Sequence, residues 1–227
     1  MRSTKHLFLA ILLLTASQAP LTATTAFAVE QAAIINKDEI TEKRTSFANN
    51  FANIVLAVIS DNKKSYEQRK ENLAQAFSKS MDIDWIAKFV IGRAWNKASD
   101  EQRTRYTELY REFLTKTYVE NFAENPDKRI NGIKILAVDN SDTTPSDFTV
   151  STQMNLASQD TLKVNYLVRE NNEGKYKVLD IAIENVSLIT THRNEFTAIA
   201  MARGLDGVIG KLEQLVANDK TLALSRL

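Results

Sequence analysis

The 227-residue sequence has no cysteine, six glycines and three prolines. Without cysteine there is no disulfide framework, no lipidated N-terminal cysteine and no folding step that depends on oxidation. So few glycines and prolines exclude a collagen-like or low-complexity chain. An excess of charge of one sign is missing too, since 29 Lys and Arg stand against 28 Asp and Glu. A net charge of +1 gives no basic footprint for counterion release, so no nucleic-acid partner is expected. It gives no polybasic patch for an anionic membrane surface either. What is present, 44% hydrophobic and 25% charged residues, is the composition of an ordinary globular domain with one sizeable core.

The N-terminal stretch reads differently from the rest. Arg2, Lys5 and His6 precede an apolar run from Leu7 to Leu14, which is far short of a bilayer span and has the layout of an export signal. Ala26-Phe27-Ala28 supplies a small-x-small cleavage pattern. Residues 1–28 are therefore expected to be a cleaved signal peptide and Val29 the first mature residue. Residues 29–217 form one domain in this reading, and 218–227 a loose C-terminal tail.

Hydrophobic periodicity changes near residue 125. Before it, Phe47, Phe51, Ile54, Val55 and Val58 recur at helical spacing and predict a helix over 38–59. Ser65 to Gln68 and Ser99 to Gln102 are capping boxes that open two further helices. Between them, Asp82 caps a short apolar helix stopped at Gly92. Tyr106, Leu109, Tyr110, Phe113, Leu114 and Thr117 form the inner stripe of the helix after Ser99, with Glu101/Arg105 and Glu112/Lys116 as flanking pairs. This helix is expected to stop before Pro126.

After Pro126 the period becomes two. Phe148, Val150, Thr152, Met154 and Leu156 alternate with polar neighbours, as do Leu162, Val164, Tyr166 and Val168, the pattern of strands buried on one face. Strands over 130–138 and 176–184 complete an antiparallel meander of four, with a turn at Asn171 to Gly174. Helical spacing returns at Leu188, Ile189, Phe196 and Ile199 up to Gly204, and Asp206 is expected to cap a last helix that buries Ile209, Leu212 and Val216. The fold class is thus α+β, a four-stranded antiparallel sheet with one face covered by N-terminal and C-terminal helices.

No catalytic or metal motif accompanies this fold. There is no H-E-x-x-H, G-x-S-x-G, P-loop or G-x-G-x-x-G. Ser60 to Lys63 matches both S-x-x-K and S-D-N, but those are separate motifs in penicillin-recognising enzymes and no K-T-G follows. Asp82 and Asp84 are accounted for as helix-terminal charges, Asp180 and Glu184 as a solvated strand face, and His192 as a surface or capping histidine. The reading is of a protein that is not an enzyme, with no cofactor and no metal.

The segment Met81 to Trp95, followed by Ala98 to Arg103 and Thr117-Tyr118, together with Val186 to Phe196 and Gly204 to Ile209, resembles the periplasmic lipid-carrier family typified by MlaC. That family is also called the toluene-tolerance or auxiliary ABC-transport component family. The resemblance implies a periplasmic shuttle that carries phospholipid between an inner-membrane Mla-type ABC transporter complex and an outer-membrane lipoprotein-porin complex, maintaining outer-membrane lipid asymmetry. It implies an apolar cavity between the sheet and the helices, with the lipid as cargo. Trp85, Phe89, Tyr110, Phe113, Val150, Met154, Val164, Tyr166, Ile181 and Ile189 are the expected lining, with Tyr110 and Phe113 facing the sheet. The alternation of these residues is equally that of a filled core. A carrier of another apolar lipid, such as a hopanoid, and a periplasmic adaptor without ligand share the same pattern.

Overall fold

The computed structural model describes residues 21–60, 64–117, 130–141 and 144–217. The chain divides into two units, Met1–Glu42 and Lys43–Leu227. The described part of the first unit is helical and belongs to α1 (Leu21–Ser60). The second contains the rest of α1 and every other element. Most of the expected export signal, the stop expected before Pro126 and the tail 218–227 lie outside the described residues.

Local chemistry sets the helix ends. α2 (Tyr66–Ser80) and α5 (Asp100–Thr115) open on complete capping boxes, Ser65 with Gln68 and Ser99 with Gln102. α3 (Ile83–Ile91) starts where the Trp85 amide donates to Asp82 Oδ1 at 3.1 Å, and ends at Gly92, whose φ of 53° permits the reversal into α4 (Arg93–Lys97). The five buried residues of α3 are all aliphatic, so this short helix is held by its core contacts rather than by its length.

The sheet is an antiparallel meander in the order β1 (Ile130–Asn140), β2 (Asp147–Leu156), β3 (Thr161–Glu170), β4 (Tyr176–Ile183) and β5 (Val186–Ser187). It has five strands where four are read from the sequence. The additional strand has two residues, pairing Ser187 with Ala182 and Val186 with Ile183, too few for an alternation to show. The β2/β3 register sets Val150 opposite Tyr166 and Thr152 opposite Val164, and β4 then places Ile181 beside Tyr166 and Ile183 beside Val164. Period-two alternation therefore gathers Val150, Val164, Tyr166 and Ile183, all buried, on one face.

Glu184 and Asn185, both at positive φ, turn β4 into β5, and α6 (Leu188–Ala217) follows β5 directly. It bends at Gly204, φ 68°, where the sequence places a helix break. Asp206 lies beyond the bend and accepts from Gln102 Nε2 at 2.7 Å. α5 packs against α3 and α6 and buries Tyr106, Leu109, Tyr110, Phe113 and Leu114, as its stripe predicts. Its Arg105 pairs across helices with Glu213 at 3.0 Å instead of with Glu101, because the neighbouring helix brings a carboxylate to the same flank.

Candidate functional site

The apolar face of β3 and β4 does not close completely. Between it and α1, α2 and the start of α6 lies a cavity of about 80 Å³. Phe51 and Val55 of α1 and Leu73 of α2 form its outer wall, and Met154, Val164, Tyr166, Ile181 and Ile183 its sheet wall, with Ile130 and Leu188 at its ends. The Phe51 ring meets Tyr166 edge-on at 5.2 Å and stacks on Phe47 at 5.9 Å. The Tyr166 phenol is the polar group nearest this space. Burial pushes it above its ordinary value, while a hydrogen bond with Thr152 acts in the opposite direction. Such a lining can hold hydrocarbon and offers nothing for acid-base chemistry.

Of the ten expected lining residues, Met154, Val164, Tyr166 and Ile181 border this cavity. The other six sit elsewhere. Val150 is buried in the sheet one register step away, opposite Tyr166. Trp85 and Phe89 stack on each other at 5.1 Å, each covered by a guanidinium, Arg169 over Trp85 and Arg193 over Phe89. Tyr110 and Phe113 face His192 and Phe196 within the helix layer, and Ile189 is buried on α6. The element facing the sheet at the cavity is α1, whose stripe Phe47, Ala48, Phe51 and Val55 turns inward while Ile54 stays half exposed. Sequence periodicity identifies Phe51 and Val55 as inward, but it cannot say which of two amphipathic helices lies over the sheet.

Several polar residues differ from their sequence reading. His192 is not at the surface: it is 6% exposed, its Nδ1 lies 2.9 Å from the Tyr110 hydroxyl, and burial lowers its pKa to about 4. Its position three and four residues from Ile189 and Phe196 places it on the inner stripe of α6. Asp180 is partly buried, and the Ile189 amide donates to its Oδ1 at 3.2 Å, so it caps the entry to α6. Burial raises its pKa against the pull of those hydrogen bonds. Asp84 pairs with Arg111 at 2.8 Å. Asp147, 8% exposed, receives both Nε and Nη2 of Arg169 at 2.7 and 2.8 Å. Among the described residues no group of three His, Asp or Glu side chains could hold a metal ion.

One charged residue on the cavity side of α1 is read from the sequence only as part of the helix. Arg44 is 4% exposed. Its Nη1 donates to Asn140 Oδ1 and its Nη2 to the Pro145 carbonyl at 2.6 Å, and the guanidinium lies over the Phe148 ring at 4.8 Å. Among the described residues its Nε has no hydrogen-bond partner. A larger, solvent-facing recess of about 810 Å³ lies on the other side of the helix layer, between α4 and α6. Ile91, Ala94, Ala98, Ala200, Met201 and Leu205 line most of it, with Arg93, Lys97, Arg193 and Asp206 among them, so charged groups share this wall whereas the cavity against the sheet has none.

The family model described as MlaC protein matches residues 49–214, most of the chain. The chain belongs to the MlaC family. The match begins inside α1 and ends inside α6, so it takes in the sheet, the helix layer and all ten cavity residues. A solved structure of similar fold is that of the phospholipid-binding protein from Ralstonia solanacearum, determined in complex with a phospholipid. It superposes with a TM-score of 0.61 at 21% identity, over 78% of this chain and 97% of its own. The α+β architecture expected from the sequence is thus that of the MlaC fold, with the fifth short strand added.

Proposed function

We propose that this MlaC-family chain is a diffusible phospholipid carrier of the Gram-negative periplasm. In this reading it is exported by a signal cut after Ala28. It moves lipid between an outer-membrane lipoprotein-porin complex and an inner-membrane Mla-type ABC transporter complex, and so sustains outer-membrane lipid asymmetry. The observation that carries the reading is the carbon-lined cavity between α1, α2 and the sheet. The phospholipid bound by the Ralstonia protein of the same fold supports it. So does the lack, among the described residues, of any helix long and apolar enough to cross a membrane.

The energetics set what such a carrier must do. Each buried methylene is worth about 0.8 kcal/mol, so two acyl chains totalling roughly thirty carbons gain on the order of 20 kcal/mol over water. The donor bilayer already supplies that gain. The protein therefore needs a site about as favourable as hydrocarbon, with no chemical step. A cavity of about 80 Å³ is well below the ~300–1,000 Å³ of ordinary ligand sites, so acyl chains enter only as the 43–60 part of α1 swings off the sheet. That part is joined to the sheet through Phe47, Phe51 and Arg44.

Native mass spectrometry of the protein purified from its own envelope tests the proposal. A mature mass starting at Val29 with phospholipid bound is expected. Protein that carries no lipid and takes none from vesicles would leave the adaptor reading, and a hopanoid in the site would change the cargo.

A further inference from the structure

We infer that Arg44 is an anion-binding position for the phosphodiester of the bound lipid, at the far end of the site from Val55. This rests on the carrier reading and adds to it the class of headgroup chemistry the protein recognises. A guanidinium stays charged at any pH a cell meets. Burying one without a carboxylate is costly, and an apolar side chain of similar length would pack there at lower cost. Arg44 is nevertheless 4% exposed, and its acceptors among the described residues are neutral oxygens, Asn140 Oδ1, the Pro145 carbonyl and the Tyr176 hydroxyl. Among the described residues it makes no ion pair. Its buried Nε donor has no acceptor among the described residues. The bonds to Asn140 and Pro145 tether α1 but leave the charge and the Nε donor without an anion, and an anionic acceptor that comes and goes supplies both.

Placement identifies that acceptor. Arg44, Phe47, Phe51 and Val55 follow one face of α1, and the seven residues from Arg44 to Phe51 span about 10 Å along the helix. Phe51 and Val55 border the hydrocarbon cavity, and Phe47 bridges to Phe148 and Tyr176 beside Arg44. A ligand lying along this face is apolar at one end and meets a cation at the other. Lys43 also acts electrostatically on Tyr176, as Arg44 does, and Glu170 opposes them from β3. The Nε and one Nη of a guanidinium form a planar fork that matches two oxygens of a phosphate. The displacement of α1 that admits acyl chains also uncovers this fork, so one motion makes both ends of the site available.

The test compares wild type with Arg44→Met and Arg44→Lys, each equilibrated with vesicles containing phosphatidylglycerol, phosphatidylethanolamine and diacylglycerol. Lipid retained per mole of protein and the melting temperature are measured together. Wild type is expected to prefer both phospholipids to diacylglycerol. Arg44→Met is expected to lose that preference by tenfold or more while taking up diacylglycerol as before and melting at the same or a higher temperature. Arg44→Lys should be intermediate, since it keeps the charge without the fork. Unchanged preference in Arg44→Met overturns the inference, as does equal loss of all three lipids with a lower melting temperature, which makes Arg44 structural. Should Arg44→Met fail to fold, wild type decides: no preference for phospholipid over diacylglycerol sinks the idea. Competition by millimolar inorganic phosphate would make this a free-anion site instead. Wild type that takes up none of the three lipids fails the carrier reading itself.

Discussion

The Tyr110 hydroxyl and His192 Nδ1 meet at 2.9 Å across the α5/α6 interface, with their rings nearly perpendicular at 89°. This contact joins two segments 82 residues apart and sits among Phe113 and Phe196, well inside the helix layer. It makes His192, the one histidine among the described residues, a structural group with a measurable effect on acid stability.

Burial lowers the His192 pKa to about 4, whereas the unfolded chain has the ordinary value near 6.5. The native state therefore holds the neutral ring while the unfolded state gains a proton as pH falls. Stability from this group is complete above about pH 6.5 and is lost progressively down to about pH 4, by up to about 3 kcal/mol. His192→Gln, which can keep a hydrogen bond to Tyr110, should be less stable at pH 7 by about 1–3 kcal/mol. Its denaturation free energy should be flatter than wild type between pH 6.5 and 4. Asp180, shifted upward by burial, is present in both proteins and cancels in the difference. Equal slopes in urea melts across that window would contradict this.

The cavity wall gives a second expectation. Phe51→Ala removes one ring from both the Phe47 stack and the Tyr166 edge contact. Phe51 is only partly buried, so the cost should fall below the ~3–5 kcal/mol of a fully buried phenylalanine, at about 1–3 kcal/mol. Under the carrier reading α1 is then held less firmly and lipid exchange with vesicles should speed up. Val164→Asp acts on the same space from the sheet side. A carboxylate there faces hydrocarbon and lacks a partner, so bound lipid should be lost even where circular dichroism reports an intact fold. A folded Val164→Asp protein with its full lipid complement would move the site elsewhere.

How far the sequence reaches is visible in these same residues. The periodicities of 3.6 and 2 locate α2, α3, α5 and the four long strands, because one-sided burial writes itself into every turn or pleat. Four cavity residues, Met154, Val164, Tyr166 and Ile181, were legible because β2, β3 and β4 alternate and lie side by side. An inward stripe does not name its partner, and the rings of Tyr110 and Phe113, expected to face the sheet, meet His192 and Phe196 of α6. Polar residues on an apolar stripe are the least legible. Arg44 and His192 both fall on such stripes and are both buried, yet residue type alone assigns them to the surface.

The fork between Asp147 and Arg169 predicts an asymmetry. Asp147 is 8% exposed and Arg169 31%, and the carboxylate holds the guanidinium above its ordinary value through the hydrogen bonds between them. Removing the arginine strands a nearly buried carboxylate, whereas removing the aspartate's charge leaves a guanidinium that still reaches water and the Trp85 ring at 5.0 Å. Arg169→Met should therefore destabilise by about 3–5 kcal/mol and Asp147→Asn by less. Thermal melts of the two variants in one buffer check the order, and the reverse order would show that the pair is solvated like an ordinary surface bridge.

Two glycines of α6 should respond to the same substitution with opposite signs. Gly204 sits at the bend with φ 68° and ψ −173°, a region essentially closed to residues with a Cβ. A Cβ built there would meet nothing within 4 Å, so the cost of Gly204→Ala is purely one of backbone conformation, about 1–3 kcal/mol. Gly210 lies in the helical continuation beyond the bend, outside the positive-φ set, and a Cβ there also meets nothing within 4 Å. Gly210→Ala then gains helix propensity and reduces the freedom of the unfolded chain, for about 0.5–1 kcal/mol of added stability. Because open space is common to both sites, sterics cannot produce the difference, and φ alone sets the sign. Chemical denaturation of the two single variants decides it. If Gly204→Ala proves neutral, the bend relaxes into a continuous helix without cost and Gly204 does not hold α6 in its two directions.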